Sequence, residues 1–373
     1  MKNVLCTVGT SLLGNFNRFE NEVLREAALD ALEKNDYAKV ADILASFPES
    51  DRNCGAEINS IFELRYRGII GENFRLHFLI SDTPDGEKVG KILERFYRGK
   101  GVQVNLVVIE GLLDKDPKRF RREGLRNLIK QMARVLREYG SENCLINATG
   151  GYKAQIAVAV MLGQALGVNV YYKHELFSEI ISFPPLPFSL DQDLWLKYNY
   201  LFTVLDKGAK DLIELEDLKY EELDEKIEPL INREIIDGKT YIELSTAGQI
   251  FHETLKARWE NIREEYLPPD VPEKAKNYVE YLQDHNWPDR ELVLRIINKV
   301  IEKIPFVRTC RTSYLNPDLP KKEGFVLKRG EIYGIISRQG WTVGFVVETS
   351  ARSERQKEAA VEYLNANLEE IFY

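Results

Sequence analysis

The sequence predicts a multidomain α/β and α+β protein: a doubly wound α/β domain first, a middle segment of helices with a short hairpin, and a small α+β domain last. Three observations carry this. Short β-branched apolar runs alternate with amphipathic helical patterns over residues 1 to about 185. That rhythm stops near residue 192. From about residue 324, short alternating strands crowd together before one last helix. At 373 residues the chain has room for two or three hydrophobic cores. The expected boundaries are 1–190, 191–266 and 267–373.

In the first domain the strands read as "NVLCTV", "FRLHFLI", "VQVNLVVIE", "ENCLINAT" and "VNVYYK". Helical patterns at 18–35, 56–69, 86–98, 116–139 and 152–166 separate them. Near-continuous apolar strands need cover on both faces, which is the condition of a parallel sheet. The segment "IISFPPLPFSLD" carries three prolines and reads as an edge strand running into a linker. In the middle, helical patterns at 196–213 and 220–236 precede an Asp237-Gly238 turn signal and a short strand at Tyr241, Ile242 and Leu244. Ser245 is placed to cap the next helix. This order resembles a winged helix-turn-helix unit. From 267, two helices are expected, "PEKAKNYVEYLQDHN" and "DRELVLRIINKVIEKI". The strands of "GFVLKRGEIYGIISRQGWTVGFVVETS" and a final helix follow.

Composition narrows the class. A content of 44% hydrophobic and 29% charged residues is that of an ordinary globular protein. The net charge of −8 means that any polyanion-binding surface must be local. Cys6, Cys54, Cys144 and Cys310 have no metal-ligand spacing and read as buried reduced thiols. The opening "MKNVLCTVGTSLL" lacks the apolar core of a secretory signal, and no 18-residue apolar run occurs, so a cytoplasmic protein without a membrane partner is expected.

The chemistry concentrates at "INATGGYKAQIA", residues 146–157. There an apolar strand hands over to a helix through Asn147, Thr149, Gly150, Gly151 and Lys153. Ligands of open α/β sheets sit beyond the carboxyl ends of the strands, where the strand order reverses. Glycines there admit a phosphate to the backbone N–H groups, and a helix start adds partial positive charge. The first strand ends in a comparable loop, "TVGTS", with Thr10 and Ser11, and the second runs into "SDTPDG". Neither GxGxxG nor a P-loop is present. The two glycine loops together resemble those of the CARF domain, the CRISPR-associated Rossmann fold, over residues 1 to about 185. The resemblance implies a homodimer whose interface pocket binds a cyclic oligoadenylate, with cyclic tetra-adenylate the expected form. It places Thr10, Ser11, Asn147, Thr149, Gly150, Gly151 and Lys153 at the ligand, with Gln155 one turn further on. The messenger acts as activator, and no cofactor is expected.

For the rest of the chain some activities are excluded. The four histidines, His77, His174, His252 and His285, lack the upstream arginine that a HEPN ribonuclease needs. Glu348 sits in "VVETSARSE" without the lysine of a PD-(D/E)xK nuclease, so no metal site is expected. Residues 305–357 hold ten basic and five acidic side chains, a local charge of +5 in an acidic protein, interleaved with Tyr314, Tyr333 and Trp341. The order of elements and the strands "EGFVLKRGEIYGII" and "TVGFVVETSARSER" resemble the RelE/ParE toxin fold over about 270–373. The resemblance implies a metal-independent endoribonuclease acting on mRNA, with the ribosome as partner. Arg352 and Arg355 match its arginines after the last strand, and Lys328 and Arg329 match the basic pair of the hairpin before it. In such a site cations stabilise the phosphorane dianion while the RNA 2′-hydroxyl attacks. One departure stands out: Tyr333-Gly334 replaces the frequent Tyr-Arg, so Arg338, Arg308 or Arg311 would have to compensate. Two other readings remain open. One is a ligand-gated winged-helix transcription regulator, and the other a ring nuclease that degrades the bound messenger.

Overall fold

The near-continuous apolar strands of the first domain do form a sheet, and its three central strands are buried on both faces. The computed structural model describes all residues except 175–176, 178, 188, 208–211, 221–222, 284–286, 313–318 and 339. The chain divides into two units, Met1–Leu190 with Gln249–Thr254, and Asp191–Gly248 with Leu255–Tyr373.

The first unit is built on six strands: β1 (Lys2–Thr7), β2 (Phe74–Ser81), β3 (Gln103–Ile109), β4 (Cys144–Asn147), β5 (Val170–Lys173) and β6 (Ile180–Phe183). Their order is β3-β2-β1-β4-β5-β6. The first five pair in parallel, and β6 closes the edge antiparallel to β5, just ahead of the prolines. Successive residues of β1 serve opposite faces, as a pleat requires. Val4 and Cys6 join the core made with helices Glu22–Glu33, Tyr37–Ala45, Gly55–Tyr66 and Pro84–Gly99. Leu5 joins the other core, made with helices Leu125–Tyr139 and Lys153–Leu166. The chain runs outward from β1 through β2 to β3, then returns to place β4 on the opposite side of β1. The strand order therefore reverses between β1 and β4. All four cysteines are buried and unpaired. Burial pushes the Cys54 thiol up to about 12 and the Cys144 thiol to about 11, which keeps them protonated and unreactive.

In the second unit, β7 (Ile213–Glu214), β8 (Ile231–Ile236) and β9 (Lys239–Leu244) form an antiparallel sheet of order β7-β9-β8. The Asp237-Gly238 turn is present, both residues having positive φ, and Ser245 caps helix Thr246–Ile262 by accepting the Gly248 N–H at 3.0 Å. Residues 220–236, expected as a helix, are not one. Among the described residues this stretch is a 3-10 segment, Glu225–Leu230, followed by β8. Pro229 cannot sit in an α-helix interior without removing a hydrogen bond, and the turn pairs β8 with β9 instead.

The last sheet comprises β10 (Val307–Thr312), β11 (Gly324–Lys328), β12 (Glu331–Arg338) and β13 (Trp341–Thr349), antiparallel in the order β10-β13-β12-β11. Helices Arg290–Lys303 and Glu354–Ala366 pack on its core side. The helix expected over "PEKAKNYVEYLQDHN" is also absent: its described part holds one 3-10 turn, Glu273–Ala275. Other groups take up this backbone. Asn298 bonds both the N–H and the C=O of Val279, at 2.9 Å each. The Asn277 N–H donates to Arg308 O, and the Asn277 carbonyl accepts from Thr309 Oγ1 at 2.7 Å, so the segment shields the β10 edge. No helix among the described residues is long and apolar enough to cross a membrane.

Candidate functional site

Two loops meet at the strand-order reversal of the first unit. After β1 the chain passes through Val8, Gly9, Thr10 and Ser11; after β4 it passes through Ala148 to Tyr152. Thr7 Oγ1 donates to the Gly150 carbonyl at 2.6 Å. A Cβ on Gly9 would come 2.9 Å from Gly151 N, so the two backbones touch without side chains between them. Gly151 has φ +98°, open to glycine and costly for other residues.

One residue that sequence reasoning missed ties these loops together. Glu57, on helix Gly55–Tyr66, is 2% exposed. Its Oε1 accepts the Gly9 N–H at 2.8 Å. A Cβ on Gly150 would overlap that same oxygen and lie 2.8 Å from Thr7 O. Burial raises the Glu57 pKa, opposed by the Gly9 hydrogen bond. Among the described residues its buried Oε2 has no hydrogen-bond partner, nor has Nε2 of the fully buried Gln155. Gln155 Oε1 accepts the Tyr152 N–H at 2.6 Å and fixes the start of helix Lys153–Leu166. An orphaned buried polar atom costs about 1–3 kcal/mol.

The expected ligand residues divide into two sets. Asn147 is buried; its amide donates to Ser60 Oγ at 2.8 Å, and its carbonyl accepts from Thr149 Oγ1 at 2.6 Å. The Thr149 hydroxyl also accepts the Lys173 N–H at 3.1 Å. These two side chains shape the loop. Thr10, Ser11 and Lys153 are exposed, with Lys153 the first residue of its helix. The "SDTPDG" loop spends its groups internally: Thr83 caps the next helix, and Asp82 Oδ2 accepts the Gly111 N–H at 3.0 Å.

In the second unit, Lys328 ends β11 and Arg329 begins the turn to β12. Lys328 Nζ donates to the Lys219 carbonyl at 3.5 Å. Arg352 is exposed before helix Glu354–Ala366; Arg355, in its first turn, pairs with Asp193 at 3.2 Å and lies over the Tyr266 ring. Lys357, on the same helix, donates to the Gly330 carbonyl at 2.7 Å and so links that helix to the Arg329-Gly330 turn. Two other candidate cations are engaged. Arg311 bridges Glu331 at 2.7 Å and also pairs with Glu348. Arg338 pairs with Glu323 and bonds the Ser337 carbonyl at 2.9 Å. Tyr333 donates to Glu331 at 2.8 Å, and Tyr314 lies outside the described residues. Gly334 has a packing reason: it faces Phe345 across the strands, and a Cβ there would overlap that buried ring, so an arginine has no room. Among the described residues no group of three or more His, Cys, Asp or Glu side chains is arranged to hold a metal ion.

The parallel order of β1 to β5, its reversal at β1 and β4, and two abutting glycine loops beyond it give the first unit a Rossmann-like α/β architecture. Residues 52–186 match the family model described as CRISPR-associated protein (Cas_APE2256). That stretch holds Glu57 and the whole 146–157 segment, and its similarity to a CRISPR-associated family points to a CRISPR-related role. No curated protein matches the chain.

Proposed function

We propose that this protein is a messenger-activated endoribonuclease of CRISPR defence, in which the first unit binds a cyclic oligoadenylate and the second cuts RNA. The carrying observation is the crevice formed where Gly9 meets Gly151 and Thr7 holds Gly150, whose Gly150-Gly151 side lies in the stretch similar to a CRISPR-associated family. Backbone N–H groups and the start of helix Lys153–Leu166 suit phosphodiester oxygens, and exposed Thr10, Ser11 and Lys153 supply donors around them. A cyclic ligand of even symmetry suits two identical patches, hence a homodimer.

For the second unit the support is the basic set Lys328, Arg329, Arg352 and Arg355 on one strand turn and one helix start. Cations so placed can stabilise a pentacoordinate phosphate while the 2′-hydroxyl attacks, without metal or histidine. mRNA on the ribosome is the expected substrate. A winged-helix regulator that reads DNA fits less well, because residues 196–236 carry many acidic side chains, which repel phosphates. The test is RNA cleavage by the full chain on translating ribosomes and on naked RNA, with and without cyclic tetra- and hexa-adenylate. Cleavage that appears only with a cyclic oligoadenylate is the expected result; none under any condition overturns the reading.

A further inference from the structure

Four non-glycine residues among those described have positive φ: Asn35, Asp237, Lys219 and Arg329. Asn and Asp enter this left-handed region with help from their short polar side chains. Lys and Arg have no such help. Lys219 (φ +52°) follows the 3-10 turn Leu215–Leu218, and Arg329 (φ +51°) is the first residue of the two-residue turn between β11 and β12. Asn-Gly or Asp-Gly is the favoured pair in such a turn, yet the chain reads Arg329-Gly330. At both places stability alone would favour a residue other than a long cation.

The two residues share a surface. Both line one depression of about 550 Å³ and an adjoining one of about 700 Å³, together with Tyr220 and Lys328. A third, of about 660 Å³, again includes Lys219 and adds Lys321, Lys322 and Trp341. All of these residues belong to the second unit. Seven basic side chains line the three depressions against three acidic ones. Two of the acids are already paired, Glu214 with Lys239 at 3.0 Å and Asp217 with Lys321 at 2.8 Å. A groove of this charge in a chain of net −8 fits a polyanion, and half-exposed Trp341 offers a face on which a base can stack.

We propose that this groove carries the sugar–phosphate backbone of single-stranded RNA, with Lys219 and Arg329 as phosphate contacts held in strained backbone for that purpose. The choice of RNA rests on the ribonuclease reading above; the strained cations and the groove do not. Strain of this kind gathers where it serves function. The groove draws residues 214–220 and 238–240 into substrate binding, a role that the residues flanking the cut would not suggest.

The test uses full-length protein and a fluorescent 2′-O-methyl oligoribonucleotide, which binds but cannot undergo 2′-hydroxyl attack. Anisotropy is followed across a salt series, with and without cyclic tetra-adenylate. Lys219→Asn and Arg329→Asn suit the left-handed backbone, so each should melt about 2–4 °C higher than wild type. Each should bind RNA about tenfold more weakly, with a log–log salt slope smaller by about 0.7. Unchanged affinity and slope in both variants would overturn the proposal, and so would a wild-type protein that binds no RNA. The two readings fail separately. If wild type cuts natural RNA and the variants bind normally, the groove assignment is wrong. If the variants lose binding and wild type never cuts, the ribonuclease assignment is wrong.

Discussion

The glycine crevice of the first unit and the basic groove of the second are both suited to phosphates, by opposite means. In the crevice, Asn147 and Thr149 spend their side-chain polar atoms on the protein itself and Glu57 Oε1 holds the Gly9 N–H, leaving backbone and three exposed side chains for the proposed ligand. In the proposed function, recognition there depends on shape. In the groove, long cations are arrayed on the surface and acids neutralise part of them. Recognition there depends on charge and is screened by salt. A rigid crevice suits one small ligand of fixed geometry; a charged groove suits a polymer of varied sequence.

The sharpest way to break this contrast is to fill the crevice. Gly150→Ala places a methyl group against Glu57 Oε1 and Thr7 O. Overpacking of this kind costs about 1–3 kcal/mol or more. Calorimetry should find no binding of cyclic tetra-adenylate, whereas the anisotropy of bound RNA without messenger should match wild type. An alanine variant that binds the messenger normally would remove the crevice from the site.

The next effect belongs to the second unit. Arg352→Ala and Arg355→Ala should each slow RNA cleavage by about a hundredfold or more. Messenger affinity should stay unchanged. Arg355 also packs on Tyr266, so its variant should lose some thermal stability that Arg352→Ala keeps.

Each unit also buries an acid, and comparing the two separates ligand geometry from plain stability. Glu362 is 6% exposed and accepts the Trp259 indole N–H; burial lifts its pKa from 4.5 to about 7. The folded state thus favours the neutral acid. Its stabilisation is complete below the unfolded value and is lost as pH rises through about 7, a swing of about 3 kcal/mol. Glu362→Gln keeps an acceptor for Trp259, so urea melts of the variant should lack most of the wild-type decline between pH 5 and 8. RNA cleavage at one pH should not change. An equal decline in both proteins would assign the pH dependence elsewhere.

Lys153→Ala should have the smallest effect. An exposed lysine at a helix start adds charge to a site otherwise made of backbone, so messenger binding should weaken about tenfold and become less salt-sensitive. Calorimetry at two salt concentrations checks both. No change in either would leave the backbone as the main binding element.

What the sequence makes legible follows the same physics. All five parallel strands of the first unit can be read from their apolar runs, because cover on both faces of the central ones forces that composition. The "DG" turn and the Ser245 cap are equally plain, since each needs only neighbouring residues. Residues 220–236 and 272–286 mislead because their charged and apolar spacing suits a helix, while hydrogen bonds of their described parts go to partners distant in sequence, Leu244 across the β8–β9 pair and Asn298 beside Val279. The helix Tyr37–Ala45 goes unread although Asp36 caps it. Glu57 looks like any glutamate on a helix; its burial arises only when Gly9 and Gly150 close on it. Gly334 can be explained only once Phe345 is seen opposite.

The ends of the cut RNA test the proposed chemistry most directly. Attack by the 2′-hydroxyl, with cations at the phosphate, leaves a 2′,3′-cyclic phosphate or 3′-phosphate on one fragment and a 5′-hydroxyl on the other. End analysis of fragments made with cyclic tetra-adenylate should find those groups, and a substrate carrying 2′-O-methyl at the scissile position should stay whole. Fragments with 5′-phosphates, or equal cleavage with and without the messenger, would contradict it.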